Sequence, residues 1–188
     1  MRVRTFIAVA ATPDIRHGAA RLIDRVRPSA GDVKWVAPDN LHWTLQFLGD
    51  VAELEIPNVC DAVAKAVAEL ESFDLTARGA GAFPSLDRPR TLWLGAAAGS
   101  QAMIALHGAI QRKLNKLGYR SEHRRFSPHM TLGRAGRKER PRSLVRELAA
   151  LAEFDAGSML VDEVTVYASD LTPTGPEYRA LARAPLSA

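Results

Sequence analysis

The chain has 188 residues, of which 47% are hydrophobic and 24% charged, and this balance fits a single soluble globular domain spanning residues 1–188. Its one cysteine, Cys60, excludes an intramolecular disulfide and a cysteine-rich zinc site. The formal net charge of +4 favours an anionic partner, and no stretch approaches the ~20 apolar residues that a membrane-spanning helix needs. We therefore expect a cytoplasmic protein with no membrane partner.

Hydrophobic periodicity predicts strands and helices in alternation, with no low-complexity linker between them. The predicted strands cover residues 3–9, 34–36, 41–48, 73–77, 91–95, 129–133, 159–168 and 178–182, and the predicted helices cover 13–26, 56–70, 101–117 and 143–151. The N-terminal run of basic and then apolar residues resembles a secretion signal. Because Thr12-Pro13-Asp14 ends it as the start of a helix would, we interpret it as a first strand. The segment Pro173-Thr174-Gly175-Pro176 is expected to turn the chain into the last strand.

One short pattern occurs twice, as His42-Trp43-Thr44-Leu45 and as His129-Met130-Thr131-Leu132, each time within a predicted strand. Successive side chains of a strand point to opposite faces, so each copy presents a histidine and a threonine on one face and two apolar residues on the other. Two such strands could place a general base, a general acid and two hydroxyl donors around one small anion. The chemistry that uses these groups without a metal ion is phosphodiester cleavage. A zinc site is not expected, because neither motif offers a third ligand.

The two copies of the pattern have similar surroundings and are separated by close to half of the chain. A helix and a short segment precede each copy, Ala37-Pro38-Asp39-Asn40 in one case and Phe126-Ser127-Pro128 in the other, and a turn and a helix follow. This arrangement is typical of a weak internal duplication. We therefore predict an α+β fold with two pseudo-symmetric lobes of mostly antiparallel β-sheet, with outer helices around a central groove.

Arginines cluster around the second copy of the pattern. Arg134 lies five residues after His129, so in an uninterrupted strand its side chain would point to the opposite face. A twist, a bulge or a strand end at Gly133 would bring it to the site. The other basic residues near this copy are expected in solvated loops; they are Arg120, Arg124, Arg137, Lys138 and Arg140.

Several longer segments carry a resemblance to a known family. They are Arg4 to Val9, Trp35 to Gly49, Gly81 to Pro84, Pro89 to Gly95, Phe126 to Arg134 and Leu171 to Tyr178. Together they resemble the 2H phosphoesterases, and within them the RNA 2′,3′-cyclic phosphodiesterases, also called 2′-5′ RNA ligases. A single His-x-Thr is a weak signal, but two copies at this separation and in these contexts are a strong one. Gly133, where relatives commonly have a small residue such as alanine, and Ser127, where they often have a basic residue, depart from the family pattern.

The resemblance implies an enzyme that opens the 2′,3′-cyclic phosphate at the end of an RNA and leaves a 2′-phosphate, with no metal ion and no cofactor. By this analogy His42 is the proton donor and His129 the proton acceptor, although the symmetry of the two motifs makes the assignment reversible. Thr44 and Thr131 would hydrogen-bond the non-bridging phosphate oxygens, and Arg134 would neutralise the phosphate or hold the nucleotide.

The remaining expectations concern the substrate and other aromatic and imidazole side chains. Phe47 and Arg125 are assigned to substrate binding. The aromatic residues Trp43, Phe47 and Phe83 are expected in the core or the groove wall, and a ring in the groove wall would stack on a base. His17 and His107 are interpreted as structural, and His123 as a loop residue. The expected partner is RNA with a cyclic phosphate end, tRNA fragments included, or a cyclic nucleotide, bound by a monomer. Two alternatives stay open: 2′-5′ RNA ligation as the main role, and a non-catalytic RNA- or nucleotide-binding module.

Overall fold

The computed structural model describes residues 1–120, 125–136, 142–173 and 175–188. Within these residues the chain forms nine strands, four α-helices and two 3₁₀ turns, at Pro38–Asn40 and Glu53–Glu55. The strands are β1 (Arg2–Ala10), β2 (Val33–Trp35), β3 (His42–Ala52), β4 (Phe73–Phe83), β5 (Thr91–Ala96), β6 (His129–Ala135), β7 (Asp155–Val161), β8 (Glu163–Thr172) and β9 (Gly175–Pro185). The helices are α1 (Pro13–Ala30), α2 (Ile56–Val67), α3 (Ser100–Lys116) and α4 (Arg142–Ala150). No helix in this part of the chain is long and apolar enough to cross a membrane.

The strands form one antiparallel sheet in the order β7-β4-β5-β6-β3-β1-β8-β9, with β2 paired to β6. The two strands that carry the repeated pattern are neighbours, and they meet where Trp43 lies opposite Met130. Each of these two residues is the middle residue of its His-x-Thr. The strands on either side of this junction make the two lobes, so the predicted α+β class with antiparallel sheet and outer helices is confirmed.

The helices cover the lobes in pairs. Helices α1 and α4 pack against each other and over β7 and β4, whereas α2 and α3 pack together over β8, β9 and β3. Helix α1 begins where the Thr12 hydroxyl accepts a hydrogen bond from the Ile15 amide, at 3.5 Å, with Pro13 at the first helical position. Its buried face includes Ile15, Leu22 and Val26, so amphipathic periodicity places the helix against the sheet.

The core lies between the sheet and the helices. The apolar residues of both motifs belong to it, because Trp43 and Met130 are fully buried and Leu45 and Leu132 are 3% and 2% exposed. The alternation expected for these two strands is therefore confirmed for the face that points away from solvent.

Several predicted boundaries were wrong. Residues 159–168, predicted as one strand, belong to β7 and β8, which are separated at Asp162; neither glycine nor proline marks this turn, so the pattern gave no signal for it. Helix α1 continues to Ala30 although Pro28 lies inside it, because a proline near the end of a helix removes a hydrogen bond from the last turn alone. Strand β4 extends to Phe83, and Gly175 and Pro176, predicted as turn residues, begin β9. Thr174 lies outside the described residues.

Candidate active site

A β-bulge follows the threonine of each motif. Ile7 pairs with Gln46 but Ala8 pairs with Thr44, so Leu45 is an extra residue in β3. Leu92 pairs with Gly133 but Trp93 pairs with Thr131, so Leu132 is an extra residue in β6. An extra residue reverses the alternation of the strand beyond it. The bulge in β6 lies one residue before Gly133, and it turns Arg134 to the face that carries His129 and Thr131.

A cavity of about 1060 Å³ lies over the junction of the two motif strands. The seven residues proposed for the site from the sequence all line it; they are His42, Thr44, Phe47, Arg125, His129, Thr131 and Arg134. The ring of Phe47 is 55% exposed, whereas Trp43, the other aromatic residue of this strand, lies in the core. The structure thus brings both imidazole–hydroxyl pairs, the guanidinium groups of Arg125 and Arg134 and the exposed ring of Phe47 to one concave surface.

The two motif histidines are held by the same kind of hydrogen bond. The Nδ1 atom of His42 lies 2.7 Å from the carbonyl oxygen of Asn40, and Nδ1 of His129 lies 2.7 Å from the carbonyl oxygen of Ser127. A carbonyl oxygen only accepts, so Nδ1 carries the proton in both rings. Each Nε2 is therefore the nitrogen that can exchange a proton with a ligand in the cavity.

An aromatic ring also packs edge-on against each histidine. The Tyr178 ring lies 5.4 Å from His42 at 86°, and the Phe83 ring lies 4.9 Å from His129 at 85°. Phe6 adds a second contact to His42, at 5.0 Å. These rings restrict the orientation of both imidazoles and keep water away from one side of each imidazole. Tyr178 and Phe83 also line the cavity.

The surroundings favour the neutral form of both histidines. Burial lowers the pKa of His42; the hydrogen bond to Asn40 opposes this change, and the nearby His129 adds to it. Burial also lowers the pKa of His129; the hydrogen bond to Ser127 opposes the change, and the charge of Arg134 adds to it. The positive charge of Arg134 acts on one histidine of the pair, so it makes the two halves of the site electrostatically unequal.

Arg134 is exposed at the mouth of the cavity, and its Nη1 atom lies 3.5 Å from the Thr91 hydroxyl. Tyr178 faces the same space: burial raises the pKa of its phenol, and the charges of Arg134 and Arg4 oppose that change. Among the described residues no group of three or more His, Cys, Asp and Glu side chains could hold a metal ion. The polar groups of the cavity therefore suit an anion that is bound through hydrogen bonds and arginine.

Some residues of the cavity wall were not proposed from the sequence. Asn40 donates from Nδ2 to the Pro176 carbonyl oxygen at 2.7 Å, and this contact joins two segments far apart in the chain. His107, interpreted as structural, stacks on Phe126 in the cavity wall; it follows Met103 at helical spacing, so the pattern did not separate it from the core face. Arg120, expected in a solvated loop, is exposed but lines the cavity. His123, Arg124, Arg137, Lys138 and Arg140 lie outside the described residues.

The chain is similar to known proteins over most of its length. The family model of the 2′-5′ RNA ligase superfamily matches residues 13–173. The RNA 2′,3′-cyclic phosphodiesterase of Methanothermobacter thermautotrophicus is 35% identical over 178 residues, which cover 95% of this chain and 96% of that protein. The protein of the same name from Thermotoga maritima is 31% identical over 180 residues, which cover 95% of this chain and 93% of that protein.

Solved structures show the same fold. The structure of TT0787 from Thermus thermophilus superposes with a TM-score of 0.81 at 26% identity and covers 99% of this chain and 98% of that one. The structure of E. coli LigT complexed with 3′-AMP gives a TM-score of 0.79 at 28% identity and covers 100% of both chains. This chain belongs to the 2′-5′ RNA ligase superfamily, and the resemblance to the 2H phosphoesterases found in the sequence is confirmed.

Proposed function

We propose that this chain is an RNA 2′,3′-cyclic phosphodiesterase that opens the cyclic phosphate to a 2′-phosphate, using two histidines and no metal ion. The observation that carries the proposal is the matched pair of 2.7 Å hydrogen bonds to Nδ1 of His42 and His129. They leave two Nε2 atoms on neighbouring strands of one cavity. Relatives named RNA 2′,3′-cyclic phosphodiesterase, at 35% and 31% identity over nearly the whole chain, support the substrate class.

In the proposed reaction one imidazole removes a proton from water as the water oxygen forms a bond to phosphorus. The P–O3′ bond breaks, and the second imidazole, protonated at Nε2, gives its proton to the departing 3′ oxygen. The products are a 3′-hydroxyl and a 2′-phosphate. Hydroxyls of Thr44 and Thr131 hydrogen-bond the non-bridging oxygens, and Arg134 balances their charge.

The unequal charges around the two rings support His129 as the proton acceptor and His42 as the donor. Burial lowers the pKa of His129 and the guanidinium of Arg134 adds to this change, which favours the neutral ring that can accept a proton. Transfer of the water proton to His129 then becomes favourable as negative charge develops on the phosphate between them.

Substrate binding is proposed at the residues that surround the two motifs. Phe47 presents an exposed ring on which the base can stack, and Arg125 lines the same cavity. The groove is enclosed by one chain, so we propose a monomer that acts as a single domain with two duplicated halves.

The proposal is tested by incubating the protein in EDTA with an RNA oligonucleotide that ends in a 2′,3′-cyclic phosphate and identifying the product isomer. A 2′-phosphate end is expected. An unchanged RNA end from folded protein would contradict the proposal and would favour a binding module.

Ligation of the cyclic phosphate end to a 5′-hydroxyl is the second candidate function. The cavity of about 1060 Å³ is also lined by residues outside the two motifs, among them Lys34, Trp35 and Phe126, which leaves room for a second nucleotide. A 5′-hydroxyl oxygen would take the place of water at phosphorus. Excess 5′-hydroxyl RNA should then give a 2′-5′ linked product in amounts that compete with hydrolysis.

A further inference from the structure

A stacked pair of rings, His107 and Phe126, forms part of the cavity wall away from the four motif side chains. Their ring centroids are 4.1 Å apart and their planes are inclined by 5°. Both side chains are half-buried and both line the cavity. A parallel stack fixes the plane of an imidazole and leaves its two nitrogens at the ring edge, where they are available for in-plane hydrogen bonds.

The polar edge of His107 differs from that of the motif histidines. Burial lowers the pKa of His107. At His42 and His129 a hydrogen bond to a backbone carbonyl opposes the same effect. At His107 no hydrogen bond from the described residues does so. Near neutral pH the ring therefore offers one N–H donor and one acceptor nitrogen. A half-buried group of this kind is stabilised when a ligand or water completes its hydrogen bonds. The edge of a nucleobase carries donors and acceptors side by side and is a matching partner.

A second polar side chain in the same wall is incompletely paired. Gln46 is 5% exposed, and its Nε2 donates to the Tyr119 carbonyl oxygen at 3.4 Å. Its Oε1 is buried and has no partner in the described part of the chain. The next residue is Phe47, whose exposed ring lines the cavity. Because the Oε1 atom of Gln46 is closed to solvent, a ligand in the cavity does not reach it, and the wall offers a bound base the Phe47 ring for stacking and the edge of His107 for hydrogen bonds.

The stacked pair lies close enough to His129 for one nucleoside to reach both. Phe126 precedes His129 by three residues, which an extended chain spans in at most about 10 Å. A base attached to the ribose that carries the cyclic phosphate therefore reaches this wall while the phosphate lies between the two imidazoles. Arg120 and Arg125 also line the cavity, and their charges suit the preceding phosphate of an RNA strand.

We propose that His107 contacts the edge of the nucleobase next to the cyclic phosphate and sets the base preference, with Phe126 holding the imidazole in place. This inference rests on the proposed phosphodiesterase function and goes beyond it by naming the residue that reads the base. His107 is a specificity residue here and takes no part in the proton transfers.

The test compares four dinucleotides that differ in the base next to a 2′,3′-cyclic phosphate. His107→Phe preserves a planar ring for the stack on Phe126 and removes both nitrogens. KM for the preferred base should rise about five- to ten-fold, the scale of one neutral hydrogen bond, while KM for the least favoured base and kcat for every base stay unchanged. The preference among bases should then nearly disappear.

His17→Phe is the matched control, because His17 is an exposed histidine of α1 that does not line the cavity. It should leave all four KM values unchanged. Thermal unfolding of both variants shows whether either substitution changes stability. A purely structural His107 would change all four substrates equally, or would lower kcat together with the unfolding temperature, and either result would overturn the inference.

Binding of the four 2′-nucleoside monophosphates, measured by calorimetry on the same proteins, separates this inference from the proposed function because it needs no turnover. Wild-type protein that leaves every cyclic phosphate intact contradicts the phosphodiesterase, whereas base-selective binding that is lost in His107→Phe still supports the base contact. Wild-type protein without base preference in either measurement, or a preference that His107→Phe retains, contradicts the role of His107.

Discussion

Phe47 and Arg134 occupy equivalent positions in the two halves of the molecule. Each lies five residues after a motif histidine and two residues after the leucine that forms the bulge. The same backbone device therefore turns an aromatic ring into the cavity at one end and a guanidinium at the other. The two motif strands are therefore alike in backbone and different in chemistry at this position. An asymmetric substrate with a base and a phosphate fits such a groove.

Removing either motif histidine should nearly abolish turnover. His42→Ala and His129→Ala are each expected to lower kcat by about 10²- to 10⁴-fold, the usual contribution of a general acid or base. The measurement is the rate of 2′-phosphate formation in EDTA from RNA with a cyclic phosphate end. Thermal unfolding of each variant separates a lost proton transfer from a change in stability, because both imidazoles also pack against aromatic rings. His17→Ala, in an exposed position of α1, serves as the control, and full activity in either motif variant would contradict the mechanism.

The pH dependence follows from the direction of the two pKa changes. Burial lowers the pKa of both His42 and His129 from the ordinary value of 6.5. The general acid acts only while its imidazole is protonated, so its contribution is lost as pH rises through its lowered pKa. The general base acts only while its imidazole is neutral, so its contribution is lost as pH falls through the pKa of that ring. We expect kcat/KM to follow a bell centred on the acid side of neutrality.

A profile of kcat/KM between acid and alkaline pH checks this expectation. Arg134→Ala should raise the pKa of His129 and shift the acidic limb to higher pH, because the charge that lowers this pKa is removed. An optimum well above neutral pH in the wild type would show that the two rings are not the titrating pair.

Arg134 should matter for phosphate binding through both its charge and its geometry. Arg134→Ala is expected to lower kcat/KM by about 10- to 100-fold, the scale of a charged hydrogen bond. Arg134→Lys should recover only part of this loss, because lysine cannot form a two-pronged contact. Arg146→Ala, which removes an exposed arginine from α4, is the matched control. Equal losses in the Arg134 and Arg146 variants would indicate a general effect of net charge.

Asn40 should position His42 from two directions. Its carbonyl oxygen holds Nδ1 of His42, and its side chain donates to the Pro176 carbonyl at 2.7 Å, two residues before the Tyr178 ring that packs on His42. Asn40→Ala keeps the first contact and loses the second. We expect kcat to fall by up to about 100-fold as the imidazole is misplaced, with KM nearly constant.

Ser127→Ala is the comparison for Asn40→Ala, since Ser127 holds His129 through its backbone carbonyl in the same way. Among the described residues its side chain has no hydrogen-bond partner, so the loss of kcat should be much smaller. Similar kinetics for the two variants would show that the contact to Pro176 does not orient His42.

Two helical glycines should respond to alanine with opposite signs. A Cβ at Gly18 would lie 2.2 Å from the carbonyl oxygen of Ala156, so Gly18→Ala has to separate α1 from β7 and should lower the free energy of unfolding by about 1–3 kcal/mol. A Cβ at Gly108 would meet only the flexible end of Arg112, at 3.4 Å. Gly108→Ala should therefore raise the free energy of unfolding by up to about 1 kcal/mol. Denaturant unfolding of both variants measures the difference, and a stabilised Gly18→Ala would contradict the observed packing.

Local patterns predicted much of this molecule. Alternation along the two motif strands correctly assigned Trp43 and Met130 to the core, because a strand that is buried on one face must place every second side chain there. Helical periodicity located all four α-helices within a few residues, since each buries an apolar stripe on the sheet. Two of the boundaries that failed lie at Pro28, where a proline in the last turn does not end the helix, and at Asp162, where a turn lacks its usual residues.

The amino-acid sequence by itself determined the family, the fold class and the two histidine–threonine pairs, because these depend on residue type and on short spacing along the chain. The tertiary structure alone decided where Arg134, Asn40 and His107 lie relative to the cavity. Arg134 needed the bulge at Leu132, which depends on pairing with β5. Asn40 needed a contact with Pro176, and His107 needed Phe126 as a stacking partner. Contacts of this kind join distant segments of the chain, and no local spacing encodes them.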